Sequence, residues 1–171
     1  AESPAYQAAV LDWAPATARP DFGPRGAFMG YDFHLGEDGP KLIEVNTNAG
    51  GAFLNAFLGR AQTACCSEAE DAIVAPLLKE FEPSVWRMFV AEWELQGRAD
   101  LPRTIALVDD RPQEQYLYPE FLIAKRFFER QGLKAWIVDP TQLQFAEGRL
   151  RYEGETIDLV YNRLVDFSLE A

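Results

Sequence analysis

Cysteine, histidine and positive charge are all scarce in this chain, and each shortage removes a class of function. Its 171 residues include two cysteines, Cys65 and Cys66, and these are neighbours. Adjacent cysteines rarely bridge, so a disulfide framework is not expected. Two thiols with the single histidine, His34, also fall short of a zinc site. Basic residues number 16 against 27 acidic ones, giving a formal charge of -11. That balance argues against a nucleic acid or an anionic membrane surface as partner. No apolar run approaches the length of a membrane span, and the amino-terminal stretch lacks a basic start followed by an apolar core. The expectation is a reducing, cytoplasmic setting. A glycine-rich dinucleotide fingerprint is missing too. Asp109-Asp110-Arg111-Pro112, which follows the first candidate parallel strand, cannot serve as one, which argues against a nicotinamide cofactor.

What remains is ordinary globular material, 48% hydrophobic and 25% charged, enough for one sizeable core or two small ones. The most informative stretch runs from Tyr31 to Gly51. Tyr31-Asp32-Phe33-His34-Leu35 alternates, Asp38-Gly39-Pro40 forms a polar turn, and Lys41 to Thr47 alternates again, so a two-stranded hairpin is predicted. A turn near Asp38 gives a pairing in which residue numbers sum to about 76, which sets Asp32 opposite Glu44 on one face. Asn46, two residues on, shares that face. Two carboxylates and a carboxamide so placed suit a hard divalent ion, magnesium above all, at about 2.0 to 2.1 Å with positions left for substrate phosphates. The same pattern also describes an ordinary exposed hairpin with a wet polar face. Thr47-Asn48-Ala49-Gly50-Gly51 then supplies a small-residue turn whose N–H groups can approach an anion.

Elsewhere the periodicity predicts a short helix over 4–13, with Tyr6, Val10 and Trp13 on one face, and a Pro/Gly-rich loop to Gly26. Arg25 in that loop is either a phosphate contact or simply solvated. A helix over 52–63 is expected to pack behind the hairpin through Phe53, Leu54, Phe57 and Leu58. Ser67 with Glu68, Glu70 and Asp71 reads as a helix start. Pro76 is expected to interrupt that helix and Pro83 to open another running to about Gln96, with Val85, Trp86, Phe89, Val90 and Trp93 buried. A linker over 97–102 divides the chain into parts 1–100 and 101–171. The second part reads as a small parallel-sheet α/β domain. It has a buried strand at 104–108, an amphipathic helix at 119–130 ended by Gly132, a strand at 134–138, a meander with turns at Gly148 and Gly154, and a strand at 157–161. Ligands in open α/β sheets lie beyond the carboxyl ends of strands, which brings Asp109, Asp110, Arg111, Gln113, Gln115, Asn162 and Arg163 to one rim.

The Glu44-Val45-Asn46 element with Asp32 upstream resembles the metal-binding hairpin of ATP-grasp ligases. The closer similarity is to the circularly permuted branch, the eukaryotic-type glutathione synthetases and glutathionylspermidine synthetase-like proteins, in which an acidic hairpin precedes a small α/β domain. The element IDLVYNR ending in Arg163 resembles the strand that presents a substrate-binding arginine there. The resemblance implies an ATP-dependent carboxylate-amine ligase acting through an acyl phosphate, with ATP and magnesium as cofactors and a small-molecule carboxylate and amine as substrates. It assigns Asp32, Glu44 and Asn46 to the metal. Asn48, Gly50, Gly51, Arg111, Gln113, Asn162 and Arg163 fall to the substrate, Arg163 with the catalytic part. The pattern departs from the family where Gly30 stands in place of an arginine, and where Ala49 and Gly51 replace serines. The nucleotide-gripping strands, their lysines and the glycine-rich lid would follow Ala171. The chain is therefore expected to be an inactive fragment of the full-length ligase, one that can form homo-oligomers. The competing expectation is a non-catalytic small-molecule binding α/β module.

Overall fold

The computed structural model describes residues 3–65 and 74–165. It is a mixed α/β structure. The helices are α1 (Pro4–Trp13), α2 (Ala52–Cys65), α3 (Val74–Glu94) and α4 (Tyr118–Arg130). Strands β1 (Gly30–Gly36) and β2 (Gly39–Asn46) form the antiparallel hairpin. Strands β3 (Thr104–Val108), β4 (Lys134–Val138) and β8 (Leu159–Asn162) form a parallel sheet in the order β4-β3-β8. Between β4 and β8, the strands β5 (Gln144–Ala146), β6 (Arg149–Tyr152) and β7 (Glu155–Thr156) make an antiparallel meander. Its turns place Glu147 and Gly148, then Glu153 and Gly154, at positive φ, as tight hairpin turns require.

The parallel sheet follows directly from composition. Ile105, Ala106, Leu107 and Val108 are all buried, because the sheet is covered on both faces. On one side lie Phe121, Ala124, Phe127 and Phe128 of α4, together with Phe53 of α2 and Val85, Phe89 and Trp93 of α3. On the other, Ala106, Val108 and Val138 meet Ile157, Leu150 and Tyr152 from the meander region. The larger core thus draws side chains from both sides of the linker at 97–102.

Three local expectations are corrected. Pro83 does not open a new helix: α3 runs unbroken from Val74 to Glu94 with Pro83 inside it, whereas the helix that Pro76 is expected to interrupt or kink starts outside the described residues. The apolar stripe of α3 continues through Pro83, since Phe81 packs on the same core as Val85, Phe89 and Trp93, and this burial outweighs one lost main-chain bond. Helix α2 packs on α3 and α4 rather than behind the hairpin. The ring of Phe53 lies 5.5 Å from both Phe81 and Phe127, while Phe57 and Leu58 stay exposed. Glu82 on α3 ties the three helices further, accepting from Arg60 at 2.8 Å and lying 3.0 Å from Arg130. Burial opposes the charge of Glu82, but the two guanidinium groups together hold its carboxyl below the usual range. Finally, the third parallel strand starts at Leu159, two residues later than expected. Ile157 donates instead to Leu150, and the Asp158 carboxylate caps the start of β3 by accepting from the N–H groups of Arg103 and Thr104. The helix start expected at Ser67, Glu68, Glu70 and Asp71 lies outside the described residues, as does Cys66. Among the described residues no helix is long and apolar enough to cross a membrane.

Candidate functional site

Two groups of candidate residues are formed, one on the hairpin and one where the turn after β2 meets the parallel sheet. On the hairpin, Asp32 lies opposite Glu44 and Gly30 opposite Asn46. Alternation then gives Asp32, Glu44 and Asn46 a common face. Beyond Asp32 the register slips by one, pairing Phe33 with Leu42, so that Ile43 is the extra residue of a bulge. The slip comes after the Asp32–Glu44 pair and leaves it in place. Both carboxylates are exposed, and neither has an ion pair or hydrogen bond among the described residues; the nearby Lys41 turns to Asp38 instead. No third aspartate, glutamate, histidine or cysteine joins them among the described residues. The donor set is therefore two free carboxylates and one carboxamide. That suits a hard cation which takes its remaining ligands from water or phosphate.

The second group is centred on the Thr47–Gly51 turn. Arg163 follows β8, its N–H bonding to the carbonyl of Val108, and its side chain is 7% exposed. Nη1 donates to Asn48 Oδ1 at 2.7 Å, to the Asn48 carbonyl at 3.1 Å and to the Ala49 carbonyl at 3.0 Å. Asn48 in turn donates from Nδ2 to the carbonyl of Leu164, and the N–H of Ala49 bonds to Phe28. Arg163 therefore clamps the turn. Its guanidinium carbon, Cζ, lies 5.5 Å from the Tyr161 ring centre. Gly50 makes the close approach possible, since a Cβ there would sit 2.7 Å from Arg163 Nη2 and 2.8 Å from Leu117 Cδ1.

Glu120 completes this group and was not foreseen. It is 2% exposed, and its carboxylate faces the N–H groups of Gly51, Ala52 and Phe53 at the start of α2 without closing a direct hydrogen bond to any of them. Burial pushes its carboxyl above the usual range, against the opposing pull of those amides and of Arg163. The carboxyl group at the glycine turn is thus supplied by the chain itself, at the positive end of α2. The signal was available in the sequence: Glu120 stands four and seven residues before Ala124 and Phe127, on the buried stripe of α4. Beside it the Tyr161 hydroxyl is buried with no hydrogen-bond partner among the described residues, and burial drives its pKa up to about 12.

The remaining rim residues do not join this cluster as one constellation. Asp109 is half-buried and raised above the carboxylate range by burial, with Arg163 pulling the other way. Arg111 is exposed in a left-handed conformation (φ 39°), with its guanidinium paired to Asp110 and Glu114. Its N–H donates to Asp139, whose carboxyl is held low chiefly by the Thr141 hydroxyl. Gln115 donates to the carbonyl of Asp110. Gln113 lines a separate cleft of about 360 Å³ with Tyr118, Arg126 and Trp136. Asn162 turns its Oδ1 to the N–H of Leu164, at the end of a larger cleft of about 650 Å³.

No family model, curated protein or solved structure matches this chain.

Proposed function

We propose that the chain is the hairpin-and-α/β portion of an ATP-dependent carboxylate-amine ligase, with magnesium held on the polar face of the hairpin. One observation carries this reading: Asp32 and Glu44 stand opposite each other, exposed and without a compensating cation among the described residues, with Asn46 on the same face. Asp32, Glu44 and Asn46 would hold the ion, which when bound neutralises charge on nucleotide phosphates. In such a reaction the γ-phosphoryl group passes to a carboxylate oxygen with release of ADP. An amine nitrogen then attacks the acyl carbon, and phosphate leaves. In this reading Nη1 of Arg163 fixes the Asn48–Gly51 turn, and Nη2, facing Gly50, is the part of the guanidinium left for a substrate carboxylate.

A second reading, a small-molecule binding module without catalysis, is favoured by the commitment of Arg163 Nη1 and Glu120 to the turn itself, which leaves that turn little capacity for a phosphate. Manganese titration followed by electron paramagnetic resonance separates the two. The ligase reading expects weak, saturable binding that tightens when ATP is added and disappears in Asp32→Asn. Binding that ignores both ATP and the substitution would leave the binding module as the better account.

A further inference from the structure

The cleft of about 650 Å³ is lined by Leu159, Val160, Tyr161 and Asn162 in succession. Consecutive residues of a strand point to opposite faces, so a cleft that touches all four runs along the strand's edge rather than over one face. Strand β8 is the last in the order β4-β3-β8 and has no second neighbour among the described residues. Its register with β3, and the bond from Arg163 N–H to the Val108 carbonyl, turn the main-chain groups of Leu159, Tyr161 and Arg163 toward β3. Those of Val160 and Asn162 consequently point outward, into the cleft. Two outward N–H and C=O pairs, two residues apart, match the repeat of another extended main chain.

The charges along the cleft narrow the ligand further. Glu92 and Asp158 are its only charged lining residues among the described residues, and both are acidic. Each uses one oxygen to accept from two main-chain N–H groups, those of Arg25 and Gly26 for Glu92 and those of Arg103 and Thr104 for Asp158. Neither has an ion pair among the described residues, so the second oxygen of each is free for a cation. Phe28, Phe89 and Leu164 add apolar wall. From these features we infer that β8 accepts an extended peptide with basic side chains, which adds as a strand along its outer edge. The inference goes beyond the ligase reading and does not depend on it.

The probe is a fluorescein-labelled, N-acetylated, C-amidated hexapeptide of alternating valine and lysine, followed by fluorescence anisotropy. Saturable binding is expected, and no binding of the matching valine–glutamate peptide. Val160→Pro removes an outward N–H without touching a bond to β3, so the affinity should fall about tenfold while the circular dichroism spectrum is retained. N-methylation of the probe at alternate residues tests the same bond without altering the protein. One of the two alternating methylation patterns should abolish binding and the other spare it. Glu92→Gln should weaken the lysine peptide and leave a valine–serine peptide unchanged. The inference is overturned by failure of the lysine peptide to bind, by equal binding of the glutamate peptide, or by indifference to both methylation patterns.

Discussion

Gly50, Glu120 and Arg163 show how much of the site depends on single side chains. Gly50 has no conformational need for glycine in its φ, only a spatial one, because the Arg163 guanidinium and Leu117 occupy the place of a Cβ. Gly50→Ala should therefore cost about 1–3 kcal/mol through overpacking, measurable by urea unfolding. Arg163→Lys loses a planar donor that meets three acceptors of the turn, and a loss of about 1.5–3 kcal/mol is expected. If Nη2 also serves a substrate carboxylate, the folded variant will bind that carboxylate more weakly; unaltered binding would confine Arg163 to the clamp. Glu120 carries a pH signature. Its carboxyl is raised above the ordinary 4.5, so the native state keeps a proton that the unfolded chain has released. Stability contributed by this group is greatest in acid, falls as pH rises from the ordinary value through the raised one, and is level above it. Glu120→Gln should flatten that part of a stability–pH series; an unchanged slope would mean that another group, such as Asp109, produces it.

At the level of elements, the helices and strands with strong periodicity were legible, and those governed by neighbours were not. The β3-α4-β4 unit, the Glu-Gly turns of the meander and the pairing of Asp32 with Glu44 all follow from alternation, apolar runs and turn chemistry. The continuity of α3 does not, because local rules stop a helix at Pro83, whereas tertiary burial of Phe81 and Val85 on either side holds it together. Pro83→Ala should restore a main-chain bond and raise stability by up to about 3 kcal/mol, read as a higher Tm. The one-residue slip at Ile43 was hidden for a similar reason: a bulge leaves no mark in a sequence whose flanking residues keep alternating. Glu120 was missed because an acid in the first turn of a helix reads as a dipole partner of its own helix, while here it faces the start of α2.

Across the whole molecule, side chains from before and after the stretch at 97–102 pack into one core. Phe89 from the first part lies 4.9 Å from Phe128 and 5.4 Å from Tyr161 of the second, with Phe28 beside it at 6.3 Å. Phe89→Ala should cost about 3–5 kcal/mol and lower the stability of both parts together, seen as one unfolding transition by fluorescence and circular dichroism alike. The hairpin stands apart from that core, with Phe33, Leu35, Leu42 and Ile43 all more than half exposed. Its polar face is where the proposed chemistry begins. Paramagnetic broadening of amide resonances by manganese, added at low stoichiometry in the presence of ATP, tests that proposal most directly. The account predicts selective loss of signals around Asp32, Glu44 and Asn46, reversed by excess magnesium. Broadening spread evenly over the acidic surface, with those three amides no more affected than Asp38 or Glu114, would contradict it.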